Sequence, residues 1–122
     1  MEFTALEHAA IKQFLSQPME DMDILRVQFA AASVAKREYT GDGFCTTILV
    51  PRSLPPARES PALHRHFLTG AIALVKSDPD QLISFHLWTD AGYLASLEAA
   101  AMKGDCWPDE SEMQVVPSVL RK

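Results

Sequence analysis

This sequence lacks several features that would assign it to a familiar class. Its two cysteines, Cys45 and Cys106, lie outside any CxxC motif, so two reduced thiols are expected rather than a disulfide framework. No apolar run approaches the length of a membrane span, and the first residues lack the basic start and apolar core of a signal peptide. These absences favour a cytoplasmic protein of the bacterial type that does not enter a membrane.

Positive charge is also scarce. Eleven basic residues stand against sixteen acidic ones, which gives a formal charge of −5. Because the phosphate field supplies most of the affinity for nucleic acids, a net negative chain argues against a nucleic-acid partner. Hydrophobic residues make up 48% and charged residues 22% of the 122 residues, the balance of a packed globular protein of ordinary domain size. We expect one domain that spans residues 1–122 and folds alone.

The start of the chain predicts two helices. Thr4 and Glu7 form a capping box, and the apolar residues that follow recur at helical spacing, which predicts a first helix from about Ala5 to Ser16. Apolar residues at intervals of three and four predict a second helix from Glu20 to Ala31.

The segment after the second helix predicts a β-hairpin. Its β-branched and aromatic residues flank Gly41-Asp42, which suits a tight loop. This register places Tyr39 opposite Phe44 and favours that face as the buried one. The same register pairs Ala35 with Ile48.

Three later segments predict further strands. Leu82–Thr89 and Tyr93–Met102 flank Asp90-Ala91-Gly92, the pattern of a hairpin with a three-residue loop. Phe67–Lys76 is an almost continuous apolar run, as expected for a central strand. Met113–Leu120 fits either an edge strand or a loose tail.

Together these elements predict an α+β domain in which two N-terminal helices pack on an antiparallel sheet of about five strands. The connections between strands are expected to be hairpins. The exception is the proline-rich stretch Arg52–His66, which has no periodicity and is predicted to be a long surface loop.

The proline-rich loop is locally basic within an acidic protein. Arg52, Arg58 and Arg65 lie along it, and arginine side chains suit the two oxygens of a carboxylate or phosphate. The loop is therefore a candidate for binding an anionic ligand or an acidic segment of a second subunit. A solvated loop kept soluble by its charge is the other interpretation.

One face of the second predicted hairpin carries the side chains of acid–base chemistry. In the predicted register His86 lies opposite Ser96, and Glu98 follows two positions later on the same face. No nucleophile elbow or oxyanion donor accompanies them, so we predict no catalytic residue. The three residues are candidate ligand-binding positions, and a solvated face of mixed polarity is the alternative.

Neither a metal nor a cofactor is predicted. His64 and His66 point the same way on an extended strand, but no third ligand follows at a metal-binding spacing. Gly41-x-Gly43 joins strand to strand, whereas a dinucleotide fingerprint joins strand to helix.

A series of short motifs resembles a group of small uncharacterised bacterial proteins, in which an RE-x-TG-x-GF hairpin precedes a DG turn, an LE strand and a WP segment. The matching residues, which span most of Val34 to Pro108, are Arg37-Glu38-Tyr39-Thr40-Gly41-Asp42-Gly43-Phe44, Asp90-Ala91-Gly92-Tyr93-Leu94, Leu97-Glu98 and Trp107-Pro108. This chain departs from the pattern at Ala99–Met102, where the family has glycine and aromatic residues. The resemblance implies a compact α+β fold and no established activity, so no catalytic residue is carried over.

Two functions follow from these patterns. The leading prediction is a non-enzymatic protein-interaction module that forms a homo-oligomer or binds another protein, because segments such as Phe67–Val75 are too apolar to stay exposed. The alternative is binding or turnover of a small anion between the basic loop and the face that carries His86, Ser96 and Glu98.

Overall fold

A computed structural model describes residues 2–17, 21–57, 67–68, 71–102 and 107–117. Within these residues the chain forms two α-helices, seven β-strands and one short 3₁₀ helix. The elements in chain order are α1 Ala5–Leu15, α2 Met22–Ala30, β1 Ser33–Tyr39, β2 Gly43–Leu49, β3 Phe67–Leu68, β4 Ala71–Val75, β5 Asp78–Asp90, β6 Tyr93–Ala101, the 3₁₀ helix Glu110–Glu112 and β7 Met113–Pro117.

Helix α1 begins at the predicted capping box. The Thr4 N–H donates to Glu7 Oε1 at 2.8 Å, and the Glu7 N–H donates to Thr4 Oγ1 at 3.1 Å. Helix α2 ends at Ala30 as predicted within one residue, whereas its predicted start at Glu20 lies outside the described residues. Neither helix of the described segments has the length and apolar character needed to cross a bilayer.

The strands form one antiparallel sheet in the order β1-β2-β6-β5-β4-β7, and β3 pairs with β5. The α+β class with two helices on an antiparallel sheet is therefore confirmed, with slightly more strands than the five expected. Strand β7 runs along β4 as an edge strand, which is one of the two predicted alternatives for this segment. Since β7 lies at the opposite side of β4 from β5, the connection from β6 to β7 is not the hairpin that was expected.

The first hairpin has the predicted loop and a bulge that was not predicted. Tyr39 pairs with Phe44, and Phe44 is buried as expected, whereas Tyr39 at the border of the sheet is 65% exposed. The register shifts between Val34 and Lys36, so that Val34, rather than Ala35, lies opposite Ile48. This bulge turns Val34 into the core.

The predicted register of the second hairpin is wrong by two residues. Its loop has two residues rather than three, because Asp90 pairs with Tyr93 around Ala91 and Gly92, whose φ angles of 54° and 85° suit a type I′ turn. A second shift follows between Trp88 and Thr89, where β6 contributes an additional residue. Every residue pair beyond this bulge is therefore displaced by two residues from the predicted register.

The helices cover one face of the sheet, where α1 packs mainly against β7 and also contacts β4 and β5, and α2 packs against β6. Phe14 and Ile11 of α1 are fully buried in this layer with Ile83, Leu87 and Leu97 of the sheet. One contiguous core therefore holds the helices to the sheet.

Two glycines allow the backbone to approach closely at this core's borders. A Cβ on Gly43 would lie 1.8 Å from the Ala99 carbonyl oxygen of the neighbouring strand β6. A Cβ on Gly92 would lie 2.4 Å from the Ala57 carbonyl oxygen. Both positions exclude a side chain for reasons of space.

The described part of the proline-rich stretch, residues 52–57, is anchored on the second hairpin. The Ala57 N–H donates to the Gly92 carbonyl at 2.7 Å, and the Tyr93 hydroxyl donates to the Leu54 carbonyl at 3.0 Å. This part is thus docked, while the rest of the predicted loop, residues 58–66, lies outside the described residues.

Candidate functional site

The sheet presents a covered face and an open face. Along β2 the residues Phe44, Thr46 and Ile48 are buried beneath the helices, whereas the alternate residues Cys45 and Thr47 are half-buried on the other side. Strands β4, β5 and β6 follow the same alternation. We call the side away from the helices the open face.

One end of the open face is mainly apolar, although Ser84 lies between Ile72 and Ala100 and Gln114 lies opposite Leu74. Ile72 lies opposite Val116 on β7, and Leu74 lies opposite Leu82 on β5. Leu74 is 40% exposed and Met102 is 62% exposed, while the remaining members are half-buried. These residues form the apolar patch: Ile72, Leu74, Leu82, Ala100, Met102 and Val116.

The other end of the open face carries a row of ionisable side chains. Glu38 pairs with Cys45, Cys45 with Glu98, and Glu98 with His86, so the four residues lie side by side across four strands. The Trp88 indole N–H donates to Glu98 Oε1 at 2.9 Å. We call Glu38, Cys45, Glu98 and His86 the charged row.

The charged row disfavours a thiolate at its centre. Burial raises the pKa of the Cys45 thiol, and the negative charges of Glu98 and Glu38 raise it further, against a smaller opposing effect of Lys36. Because the thiolate is the nucleophilic form of cysteine, this environment suppresses reactivity at neutral pH. Cys45 is described as a free thiol, and Cys106 lies outside the described residues.

Metal binding finds no support in the described segments. Among them, no group of three or more His, Cys, Asp or Glu residues is placed to hold a metal ion. Neighbouring strands are about 4.8 Å apart, so a row across a sheet spreads its ligands instead of converging on one point. His64 and His66 lie outside the described residues.

The described members of the predicted anion site fall into two places. His86 pairs with Glu98, whereas Ser96 pairs with Trp88. Arg52 lies at the loop of the second hairpin, with its guanidinium carbon 3.9 Å from the centre of the Tyr93 ring. Tyr93 and Glu98 are separated along β6 by about 16.5 Å at 3.3 Å per residue.

The structure therefore brings His86 and Glu98 together and sets Arg52 apart from them. Arg58 and Arg65 lie outside the described residues. The two carboxylates of the charged row oppose an anion at this place. Anion binding stays a prediction.

The covered face holds a buried carboxylate that sequence reasoning missed. Glu7 is fully buried, and Arg37 donates to it twice, from Nε to Oε2 and from Nη2 to Oε1, both at 2.6 Å. The Thr46 hydroxyl donates to Glu7 Oε2 as well. Glu7 thus joins α1 to β1 and β2 through one side chain.

The hydrogen bonds to Glu7 outweigh the effect of its burial. Burial alone raises the pKa of this carboxyl, but the bonds from Arg37, from the Thr46 hydroxyl and from the Thr4 N–H lower it below the ordinary value of 4.5. The same pairing raises the pKa of Arg37. Glu7 is therefore ionised and satisfied, which makes this network structural.

Gln28 is the second polar residue that sequence reasoning missed. It is fully buried, and its amide nitrogen donates to the Gly92 carbonyl at 2.9 Å and to the Pro55 carbonyl at 3.2 Å. Its amide oxygen accepts from the Leu94 N–H at 2.9 Å. One side chain of α2 therefore fixes both the proline-rich loop and the turn of the second hairpin.

Both missed residues had a signal in the helical periodicity. Glu7 precedes Ala10 by three residues and Ile11 by four, and Gln28 follows Leu25 by three, so each falls on the buried side of its helix.

Within the part of the chain that the structure describes, strand β1 forms one border of the sheet, because it pairs there with β2 alone. Five of its seven residues are exposed, Tyr39 by 65%. On the open face, Lys36 Nζ lies 3.6 Å from Glu38 Oε1. Among the described residues no strand pairs with the side of β1 that faces away from β2, so its backbone groups there are open to another strand.

A shallow groove between the helices is explained by their packing. Phe3 and Phe29 meet edge to face at 5.2 Å along it. Arg26, also in the groove, donates to the Leu15 carbonyl at 2.8 Å and binds Asp23. Its cation therefore connects the two helices.

Comparisons of the chain with protein-family models, with curated proteins and with solved structures find no significant match. The resemblance to the bacterial family with an RE-x-TG-x-GF hairpin stays a prediction.

Proposed function

We propose that this chain is a non-enzymatic protein-interaction module that self-associates through its sheet. The observation that carries the proposal is the one-sided coverage of the sheet by the described elements, since both helices pack on the same face. A sheet of this size usually buries both faces or keeps the uncovered one polar.

The apolar patch supports a protein partner on the open face. Leu74 and Met102 expose a substantial part of their apolar surface beside four half-buried neighbours. Removing such surface from water stabilises a complex by about 25 cal/mol per Å². Contiguous apolar surface on a small domain is typical of interaction sites.

The polar end of the open face supports binding rather than catalysis. The carboxylates of Glu38 and Glu98 flank Cys45 and raise the pKa of its thiol, which is the reverse of nucleophile activation. A flat row of polar and charged side chains at the border of an apolar patch is the usual composition of an interface rim.

The proposal is tested by sedimentation velocity over a wide range of protein concentration. We expect a mass above the 13.5 kDa of one chain, rising with concentration. Two variants probe the sheet: the double change Leu74→Asp and Met102→Asp in the apolar patch, and Lys36→Glu on β1. At least one of them should lower the mass.

Val27→Asp is the matched control. Val27 is 51% exposed on α2, so the change from apolar to acidic is the same but lies on the helical layer. The control should associate like the unchanged protein. A strict monomer at every concentration contradicts the proposal, as does association that only the Val27 variant abolishes.

A further inference from the structure

The hydrogen bonds of the first hairpin determine which backbone groups of the border strand β1 point towards β2 and which point outwards. The Thr40 N–H donates to the Gly43 carbonyl at 2.9 Å, so Thr40 and Gly43 form a hydrogen-bonded pair at the hairpin loop. In antiparallel strands such pairs alternate with non-hydrogen-bonded pairs. The backbone groups of Glu38 and Lys36 therefore point towards β2, and those of Tyr39 point outwards.

Strand β1 also has two features that prevent indiscriminate pairing. The bulge beside Ala35 interrupts its regular part, and the exposed Lys36 places a charge on it. Bulges and lysines are how natural sheets protect their borders. A second strand that pairs with β1 must therefore place a negative charge opposite Lys36.

A second copy of this chain offers that charge. Two β1 strands related by a two-fold axis perpendicular to the sheet run antiparallel, and residues that lie opposite each other must be on the same face. An axis at Glu38 sets two glutamates opposite each other, and an axis at Lys36 sets two lysines opposite each other. Both arrangements are repulsive.

An axis at Arg37 sets Lys36 of each copy opposite Glu38 of the other. Lys36 and Glu38 then form two opposite-charge pairs related by symmetry. Because the backbone groups of these residues point towards β2, the pairs are non-hydrogen-bonded, the type in which facing side chains are closest. The same axis sets the two Arg37 residues opposite each other on the covered face, where each cation remains neutralised by its two hydrogen bonds to its own Glu7.

We propose that β1 pairs with β1 of a second copy in the register centred on Arg37. The inference rests on the proposed self-association and names its surface and register. The two sheets become one continuous sheet with all four helices on one side. The open faces of both copies then form a single surface on the other side, and the charged rows approach the junction from both directions.

Charge reversal at the two positions tests this register. Lys36→Glu sets glutamate opposite glutamate twice, and Glu38→Lys sets lysine opposite lysine twice. Each single variant should raise the dimer dissociation constant about tenfold or more. Both side chains are more than half exposed, so the fold should survive, as checked by circular dichroism.

Two combinations should restore the dimer. The double variant Lys36→Glu/Glu38→Lys reverses both charges and recreates two attractive pairs. An equimolar mixture of the two single variants should form a heterodimer, since every facing pair is then glutamate with lysine. Sedimentation with one variant fluorescently labelled measures this directly.

Lys12→Glu is the matched control, because Lys12 is an exposed residue of α1 and its reversal changes the net charge equally. It should leave the dissociation constant within about twofold of the unchanged protein. If the protein dimerises and the single variants at β1 behave like this control, the edge is not the interface and this inference is overturned. The proposed function then stands only if the double change Leu74→Asp and Met102→Asp dissociates the dimer.

The register has its own test. If the single variants dissociate the dimer but neither the double variant nor the mixture restores it, the pairing centred on Arg37 is wrong. A protein that is monomeric at all concentrations overturns both this inference and the proposed function. If the double variant and the mixture both dimerise, the result supports the pairing centred on Arg37 and the proposed self-association.

Discussion

Arg37 and Glu38 are neighbours in β1, yet they lie in opposite surroundings. The Arg37 side chain is 13% exposed and binds the buried Glu7 through two hydrogen bonds. The Glu38 side chain is 66% exposed and lies near Lys36 and Cys45. Charge on the covered face fixes the helix to the sheet, whereas charge on the open face is accessible to other molecules.

The comparison between the two faces also separates stability from recognition. A buried ion pair must be complete, because a lone charge away from water is costly. An exposed pair contributes little to folding but retains its effect on which partner is accepted. Substitutions on the covered face should therefore change the free energy of unfolding. Substitutions on the open face should change the association between copies and the reactivity of the Cys45 thiol.

The largest effect is expected from Arg37→Met. This change leaves the Glu7 carboxylate buried without its cation and should lower the free energy of unfolding by about 4 kcal/mol. Lys36→Met, on the next residue and the other face, should change it by less than about 0.5 kcal/mol. Urea denaturation of both variants under dissociating conditions measures the difference. Equal losses for the two variants would contradict the division between the faces.

Glu7→Gln should cost about 3 kcal/mol at neutral pH, since the amide leaves Arg37 without its anion. The folded pKa of Glu7 lies below its ordinary value of 4.5, so its stabilisation is complete above that pH and is lost as the pH falls through the folded pKa.

The stability gap between the unchanged protein and the Glu7 variant should therefore shrink as the pH falls below 4.5. Urea denaturation at a series of acidic pH values measures this gap. Glu98→Gln, an exposed carboxylate of the open face, serves as the control. A gap that widens at acidic pH would show that the sign of the effect is wrong.

Gln28→Leu tests whether the loss of an uncharged buried group also lowers the free energy of unfolding. The change preserves approximate volume but leaves the Leu94 N–H and the Gly92 carbonyl without their partner, which should cost about 2 kcal/mol. Gln13→Leu, at a less buried position of α1, should remain within about 0.5 kcal/mol of the unchanged protein. Thermal unfolding ranks the two variants, and a smaller loss for Gln28 would refute the assignment.

The smallest effect is a change in thiol chemistry on the open face. Glu98→Gln removes a negative charge beside Cys45 and should lower the pKa of its thiol, which speeds alkylation at mildly alkaline pH by about threefold. Lys36→Gln removes the opposing positive charge and should slow it. Mass spectrometry of the Cys45 peptide separates its rate from that of Cys106. Equal rates in both variants would mean that the row does not act on this thiol.

The sequence patterns predicted the helices, strands and turns better than the register between neighbouring strands. The capping box at Thr4 and the loop at Gly41-Asp42 are local, and both occur as predicted. The bulges at Ala35 and near Ala95 were not predicted, because one additional residue in a strand is fixed by packing across the sheet and has no signature of its own.

The candidate site depended on that alignment. The sequence predicted that His86 lies opposite Ser96, whereas the structure pairs His86 with Glu98. The shorter loop and the bulge each move the register by one residue. Glu7 and Gln28 were within reach of the helical periodicity. Their partners were not, because Arg37 and Gly92 are distant in the chain and meet them only in the folded protein.

The order of the strands has a consequence for how this protein acquires its structure. Helix α1 packs mainly against β7, and β7 pairs with β4, so the earliest helix depends on the latest strand of the described chain. The hairpins can form from local sequence, whereas this closure requires contacts between distant segments, which slows folding. We therefore expect the domain to gain its core in one late, cooperative step.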